Sequence, residues 1–203
     1  MFIHPHDLET DPAVWRAFLV AQGFGQVACC GPAGARFPVV LPTQYAVHGD
    51  EVLFHVVAAN PLVAALRAHP HAVLSVAGDW AYIPGAWKSI GSEDPRLGIP
   101  TTYYAAVQVS GPCVLVEDAE QIAALLRVQL GAVDTPDQLV DPLEHGARLR
   151  SIRGIRLRLE DVRAKFKYGG NVDVDHRLAV AAQLEARDGP GDRAALAHLR
   201  RTM

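Results

Sequence analysis

Hydrophobic residues recur at helical spacing in five stretches of the chain. The first begins at Thr10 or Asp11, since either side chain can cap a helix, and it ends at Gly23. A second, short helix opens at Asn60-Pro61 and ends near residue 68. The same spacing predicts three further helices, over residues 118–130, 175–187 and 192–200.

Short apolar or alternating runs between these helices are typical of strands. The runs 44–47 and 51–57 are joined by the turn His48-Gly49-Asp50, and Ser110-Gly111-Pro112 is predicted to be a second tight turn. Loops are predicted over 84–99 and over 136–144, the second with a helical turn or two. The predicted strands cover residues 26–30, 37–41, 44–47, 51–57, 71–76, 80–83, 101–109, 113–116 and 155–159.

Many short strands with few short helices do not make the regular alternation of a doubly wound sheet. The predicted fold class is therefore mainly β, an antiparallel barrel with peripheral helices. The chain has 203 residues, half of them apolar, and is expected to form a single domain with a helical extension from about residue 172. No apolar run approaches ~20 residues, so no membrane span is expected. Residues 1–6 do not resemble a signal peptide, which favours a cytoplasmic location.

Charge is distributed unevenly along the chain. Residues 1–144 carry 6 basic and 15 acidic side chains, whereas residues 145–203 carry 13 basic and 7 acidic ones. A basic segment of this kind can bind nucleic acid, or it can dock on acidic surface of its own chain or of a partner. Residues 148–163 are rich in arginine, but no helix-turn-helix pattern is evident. DNA is therefore a partner that no motif supports.

The motifs of several common enzyme classes are absent from the sequence. There is no GxGxxG after a strand, no GxxxxGK[ST] and no GxSxG. The three cysteines are an odd number and do not suggest a disulfide framework. The nine histidines show no familiar metal-ligand spacing. We therefore predict no metal site and assign no catalytic residue.

Two stretches have the chemistry to hold an anion. His55 lies in a strand that runs into the Asn60-Pro61 helix start, where backbone N–H groups and the helix dipole can receive a phosphate. Alternatively, Asn60 only caps the helix. Lys165 and Lys167 lie on one side of a run that precedes Gly169-Gly170, where two cations can grip an anion. The alternative for these lysines is a solvated edge strand.

A third stretch combines aromatic and hydroxyl side chains on both sides of the loop over residues 84–99. Trp80, Tyr82 and Trp87 precede or begin this loop, and Thr101 to Tyr104 follow it. A planar aromatic ligand needs such a surface, although ordinary packing uses the same residues.

Taken in order, these stretches resemble the PaiB-type FMN-binding family, often labelled negative transcriptional regulators, of the flavin split-barrel superfamily. That superfamily includes proteins like pyridoxamine 5'-phosphate oxidase. The similarity runs in register from residue 1 to about residue 185. It is carried by Met1 to His6 with Thr10-Asp11, by His55 to Pro61, by Tyr82 to Trp87, by Pro100-Thr101 with Tyr104, and by Lys165 to Lys167 with Asn171, Asp175 and Arg177.

The chain also departs from the family pattern at several positions. Ala58 stands where the family has an arginine that could pair with a phosphate. Thr102-Tyr103 replaces Trp-Asn, and Gly169-Gly170 replaces Ser-Gln. Loss of one charge-assisted phosphate contact weakens a complex roughly tenfold to hundredfold.

The resemblance implies a homodimeric split β-barrel with FMN held between the subunits. It implies a flavin-dependent regulatory or sensing protein. The alternatives are an FMN-dependent oxidoreductase acting on a small substrate, and a divergent member that has lost tight flavin binding. The cofactor-binding residues that it predicts are His55, Asn60, Trp87, Lys88, Thr101, Lys165, Lys167 and Asn171.

Overall fold

The structure is a computed structural model that describes residues 1–89, 94–135 and 139–203. Within these ranges the α-helices are α1 (Pro12–Gln22), α2 (Pro61–Ala68), α3 (Ala119–Gly131), α4 (Val174–Arg187) and α5 (Asp192–Arg201). The strands are β1 (Leu8–Glu9), β2 (Phe24–Cys29), β3 (Val39–Gln44), β4 (Ala46–His48), β5 (Glu51–Val57), β6 (His71–Ile83), β7 (Thr101–Val116), β8 (Ile152–Arg158) and β9 (Asp161–Lys167). Short 3-10 helices cover Pro5–Asp7, Gly85–Trp87, Pro95–Leu97 and Pro142–Ser151.

Local side-chain caps explain where several helices begin. The Asn60 side chain accepts a hydrogen bond from the backbone N–H of Leu62, and Pro61 follows it in the first turn. Asp118 caps α3 in the same way, and Asp173 caps α4. These are the helix starts that the sequence predicted near residues 60 and 118, while α4 begins one residue before the predicted 175.

The chain divides into two compact units, each built from separate stretches. Unit 1 contains Met1–Asp11, Ala77–Val107 and Arg163–Met203, and unit 2 contains Pro12–Val76 and Gln108–Val162. The prediction of a single domain over 1–203 stays a prediction.

Unit 2 is organised around antiparallel pairing. The strand order of the sheet is β3-β2-β6-β7-β8-β5-β4, and of β6 and β7 only the parts up to Val76 and from Gln108 belong to unit 2. Register is fixed by apolar positions such as Val27, which lies opposite Leu41 on one side and Leu74 on the other. Phe54 is paired with Ile155 in β8, and both side chains are fully buried. In unit 1, β1 pairs antiparallel with β9, with Leu8 opposite Lys165. The secondary structure is thus mainly antiparallel β with helices, as predicted.

Two strand predictions need correction. The predicted tight turn at Ser110-Gly111-Pro112 is wrong, because β7 runs unbroken from Thr101 to Val116. Gly111 is required there for close approach, since a Cβ at this position would overlap the carbonyl oxygen of Arg158. β6 is likewise one strand of 13 residues rather than two, and it accommodates Asp79 at a φ of 51°.

Parts of the two predicted loops, residues 90–93 and 136–138, lie outside the described residues. In the part of the chain that the structure describes, no helix has the length and apolar character needed to cross a membrane.

Candidate functional site

A cleft of about 360 Å³ opens in unit 1. This volume falls in the range of pockets that bind small molecules. Four of its lining residues are among those predicted to bind a cofactor: Lys88, Thr101, Lys167 and Asn171. Further lining comes from residues that the prediction did not include: His4, His6, Asp7, Ile99, Pro100, Tyr103 and Gly169.

Lys88 and Lys167 give this cleft its positive charge. The Lys167 ammonium donates a hydrogen bond to the Thr101 hydroxyl over 2.6 Å. Burial, and then the neighbouring charge of Lys167, lowers the pKa of Lys88. Among the described residues, no carboxylate lies within 4.0 Å of either ammonium. Two cations that repel each other, with no described carboxylate at that distance, favour an anionic ligand.

Lys165 has a different role from Lys167, although the two stand only two positions apart in β9. The Lys165 side chain is buried, and its ammonium lies 3.9 Å from a carboxylate oxygen of Asp7, itself only 3% exposed. The ammonium also lies 3.4 Å from the carbonyl oxygen of Phe2. Its charge is therefore matched inside unit 1, and it is absent from the cleft lining.

Trp87 stands just before Lys88 in the loop that borders the cleft. It is half-buried and ends the 3-10 helix Gly85–Trp87. One face of its indole is covered by the guanidinium of Arg187, which lies 4.7 Å from the ring centroid. Arg187 is fixed in turn by the buried carboxylate of Asp192, at 2.8 and 2.6 Å.

Glycines bring the two ends of the Lys88 loop together. A Cβ at Gly98 would overlap the carbonyl oxygen of Gly85 and would lie 2.8 Å from the backbone nitrogen of Ser89. The backbone of residue 98 therefore packs directly on that of residue 85, and this contact sets the position from which Lys88 extends.

The other two predicted residues, His55 and Asn60, lie in unit 2. The Nδ1 atom of His55 lies 2.8 Å from the side-chain oxygen of Gln129, a residue only 2% exposed. Gln129 donates its amide N–H to the carbonyl oxygen of Gln44 over 3.0 Å. At the start of α2, the Leu62 and Val63 N–H groups already bond to Asn60. The capping role weighed for Asn60 is confirmed, whereas its role toward a phosphate stays a prediction.

Unit 2 also has a cleft of about 360 Å³, but its charges are balanced. Its charged lining residues Glu51 and Arg156 bond to each other through two contacts of 2.8 Å. Because these two charges neutralise each other, this cleft does not favour a charged ligand. The unit 1 cleft is therefore the stronger candidate for the binding site of an anionic ligand. Among the described residues, no group of three His, Cys, Asp or Glu side chains could hold a metal ion.

Sequence reasoning missed the contribution of the first residues of the chain. His4 and His6 line the cleft, and their rings stack with centroids 5.2 Å apart and planes 7° apart. Their spacing around Pro5 is visible in the sequence, but it indicates only that the two rings are close. That they reach the cleft depends on the pairing of β1 with β9, which no local pattern reveals.

Comparison with known proteins identifies the family. Residues 1–161 match the family described as "Putative FMN-binding domain". The chain belongs to this family. It is therefore a flavin-binding protein, and FMN is the cofactor that the family description names, in agreement with the predicted cofactor.

A relative from Bacillus subtilis (strain 168) is named "Protease synthase and sporulation protein PAI 2". It is 25% identical over 185 residues, which cover 87% of this chain and 85% of the relative. The predicted PaiB-type resemblance is thereby confirmed.

Two solved structures of similar fold come from flavin-associated proteins. One is the flavocytochrome Anf3 from Azotobacter vinelandii, with a TM-score of 0.64 and 20% identity over 84% of this chain and 74% of that chain. The other is the FAD and heme binding protein from Mycobacterium smegmatis, with a TM-score of 0.65 and 17% identity over 87% of this chain and 80% of that chain. At these identities the likeness concerns the fold, and it confirms the predicted split-barrel fold class.

Proposed function

We propose that the unit 1 cleft binds the phosphate of FMN. The observation that carries this proposal is the pair Lys88 and Lys167, which share one cleft without a carboxylate partner among the described residues. A phosphate monoester supplies both the missing negative charge and several acceptor oxygens. The residues present therefore fit the phosphorylated end of this cofactor.

The predicted cofactor residues of unit 1 divide into groups with different tasks. Lys88 and Lys167 supply charge, while the Thr101 hydroxyl and the Asn171 amide supply polar contacts at the same cleft. Trp87, whose indole carries the Arg187 guanidinium on one face, is the aromatic side chain that we assign to the flavin ring. Lys165 acts indirectly, because its pairing with Asp7 holds the first segment of the chain against β9.

For His55 and Asn60 the proposed cofactor contact is supported by the family resemblance alone. When bound, the flavin supplies the electron-transfer chemistry, and the protein binds and orients it.

The biological role that we propose is flavin-dependent regulation or sensing. It is supported by the name of the Bacillus subtilis relative, a sporulation protein that aligns over most of both chains. Direct DNA contact is not part of this proposal. Two of the arginines in the basic run, Arg153 and Arg156, already face carboxylates of unit 2.

We also propose that the chain forms a homodimer. Trp80 and Tyr82 support this, because they share one face of β6 and are 60% and 51% exposed. Large aromatic side chains of this kind are enriched at protein interfaces. Sedimentation velocity of the full chain measures its mass directly, and a monomer at micromolar concentration contradicts this part of the proposal.

FMN binding is tested by titration of the full chain, followed by quenching of flavin fluorescence and by flavin absorbance near ~450 nm. We expect the double variant Lys88→Met/Lys167→Met to bind FMN at least about tenfold more weakly, since each charge-assisted contact contributes about 1.5–3 kcal/mol. The matched control is Arg193→Met/Arg200→Met, which removes the same charge from exposed ion pairs of unit 1.

The proposal is rejected if the folded wild-type chain fails to bind micromolar FMN, or if both double variants bind FMN equally well. Stopped-flow mixing of the loaded protein with NADH or NADPH separates a regulatory role from an oxidoreductase, because we expect negligible turnover.

A further inference from the structure

Tyr103 carries a buried hydroxyl group that has no hydrogen-bond partner in the described part of the chain. The side chain is 1% exposed and lines the unit 1 cleft, yet its oxygen has no hydrogen-bond partner among the described residues. Two other deeply buried tyrosines are satisfied: the Tyr45 hydroxyl donates to the carbonyl of Leu19 over 2.8 Å, and that of Tyr168 donates to the carbonyl of Asp79 over 2.9 Å. A buried polar group without a partner is rare in folded proteins and requires an explanation.

The hydroxyl occupies space that Gly169 leaves open. A Cβ at position 169 would lie 2.5 Å from the Tyr103 oxygen and 3.3 Å from the ring carbon that bears it. Gly169 also has a φ of 77°, which a glycine adopts without strain. The chain departs from the family pattern at both positions, since the pattern has Asn where this chain has Tyr103 and Ser where it has Gly169. The two replacements meet in space, so this arrangement distinguishes the chain from that pattern.

A second buried donor lies near Tyr103. The Arg177 Nε–H has no hydrogen-bond partner among the described residues, and a Cβ at Gly169 would lie 3.5 Å from the Arg177 side chain. Burial raises the pKa of Tyr103 to about 12, with a smaller lowering by Arg177 and a smaller raising by Asp7. The phenol therefore keeps its proton at neutral pH and remains a donor. Lys88 and Lys167 add two further donors to the same cleft, while the Asp7 carboxylate on its lining lies 3.9 Å from the Lys165 ammonium.

We propose that the Tyr103 hydroxyl donates a hydrogen bond to a phosphate oxygen of the ligand and thereby makes the cleft specific for a phosphorylated flavin over riboflavin. Terminal phosphate oxygens are acceptors only, which suits a cluster of donors without partners. A hydroxyl that gains its acceptor only when ligand binds adds affinity without adding to the stability of the free protein. This inference rests on the proposed function, because it assigns one more contact to the same phosphate.

The test is Tyr103→Phe in the full chain, a change that removes one oxygen atom and keeps the ring. We expect the dissociation constant for FMN to rise about tenfold or more, as for loss of a hydrogen bond to a charged group. The dissociation constant for riboflavin should stay within about twofold of the wild-type value. Inorganic phosphate should compete with FMN about tenfold more weakly than it does in the wild type. The melting temperature of the unliganded variant should equal or exceed that of the wild type, because no protein hydrogen bond is lost.

Tyr45→Phe is the matched control, since it deletes an equally buried hydroxyl that does have a partner. We expect a lower melting temperature and unchanged constants for both flavins. Equal FMN binding by wild type and Tyr103→Phe would overturn the inference, and so would an equal loss for FMN and riboflavin, which would place the hydroxyl on another part of the ligand. A wild-type chain that does not bind FMN overturns the proposed function as well, so the two failures are distinguishable.

Discussion

Lys88 and Lys167 line one cleft as two like charges, and the second lowers the pKa of the first in addition to the effect of burial. A bound phosphate reverses this effect, because an anion favours the protonated form of Lys88. The pair therefore links ligand affinity to pH.

We expect the affinity for FMN to fall with rising pH at values below the ordinary lysine pKa of about 10.4. Above the lowered pKa of Lys88, binding must take up one proton, so the affinity decreases by about tenfold per pH unit. FMN titrations between pH 7 and pH 10 measure this. Lys88→Arg keeps its charge throughout that range and should remove the decrease. A wild-type affinity that does not change over this interval would contradict the assignment of Lys88.

Substitution of the buried carboxylate Asp192 should destabilise the fold. Asp192 is 1% exposed and accepts hydrogen bonds from Arg187 and from the Gly189 N–H, and the bonds from Arg187 are the main cause of its lowered pKa. We expect Asp192→Asn to lower the free energy of unfolding at pH 7 by about 1–3 kcal/mol, as measured by urea denaturation.

This effect should depend on acid pH with a defined sign. Because the pKa of Asp192 is lower in the folded protein than the unfolded value of about 3.9, its contribution is complete above that value and is lost as the pH falls through the folded pKa. The difference between wild type and Asp192→Asn should therefore shrink below about pH 4. Asp188→Asn, in an exposed pair with Arg193, is the control and should change little at any pH. A constant difference down to pH 2 would argue against the role given to the charge.

Gly98→Ala should disturb the loop that presents Lys88. The added Cβ would meet the carbonyl oxygen of Gly85, and rigid backbone cannot yield as a side chain can. We expect a loss of about 1–3 kcal/mol in the free energy of unfolding, together with weaker FMN binding. Gly131→Ala is the matched control, because a Cβ there, at the end of α3, meets nothing within 4 Å. This control should be neutral or stabilising by up to about 1 kcal/mol, and equal behaviour of the two variants would refute the packing argument.

Gln129→Leu tests the contact that holds His55. The substitution keeps the side-chain volume but removes the present partner of the His55 Nδ1–H and one of the donors to the Gln44 carbonyl, which keeps its bond from the Thr43 hydroxyl. We expect the free energy of unfolding to fall by about 1–3 kcal/mol in urea denaturation. If His55 also contacts the cofactor, His55→Ala will weaken FMN binding beyond what this loss of stability explains. Unchanged stability of Gln129→Leu would show that the buried amide is dispensable.

Features that depend on local sequence were the ones that could be predicted. The Asn60 cap and the start of α3 at Asp118 follow from side-chain chemistry within three residues. The different environments of Lys165 and Lys167 could not be predicted from local sequence. They depend on Asp7, which is distant in sequence and lies close to Lys165 alone of the two. Their sequence surroundings are nearly the same, and only the pairing of β1 with β9 gives one of them a carboxylate.

The contacts of the Gly111 backbone and of the Tyr103 side chain could not be predicted for the same reason: they involve residues that are distant in sequence. Gly-Pro usually marks a turn, but here the glycine serves a close approach to the Arg158 carbonyl, a contact made across the sheet. An aromatic residue in an apolar strand predicts packing, which Tyr103 also provides. That its hydroxyl has no partner among the described residues depends on Gly169 and Arg177, which are far from it in sequence.

The pairing of β1 with β9 also fixes when the cleft can form. His4 and His6 are made before strands β2 to β8, whereas Lys167, Gly169 and Asn171 are made after them. Closing so long a stretch of chain has an entropic cost. The contacts that offset this cost form only when both strands are present. A chain interrupted before β9 therefore lacks Lys167, Gly169 and Asn171, and with them part of the cleft that we propose for the flavin phosphate.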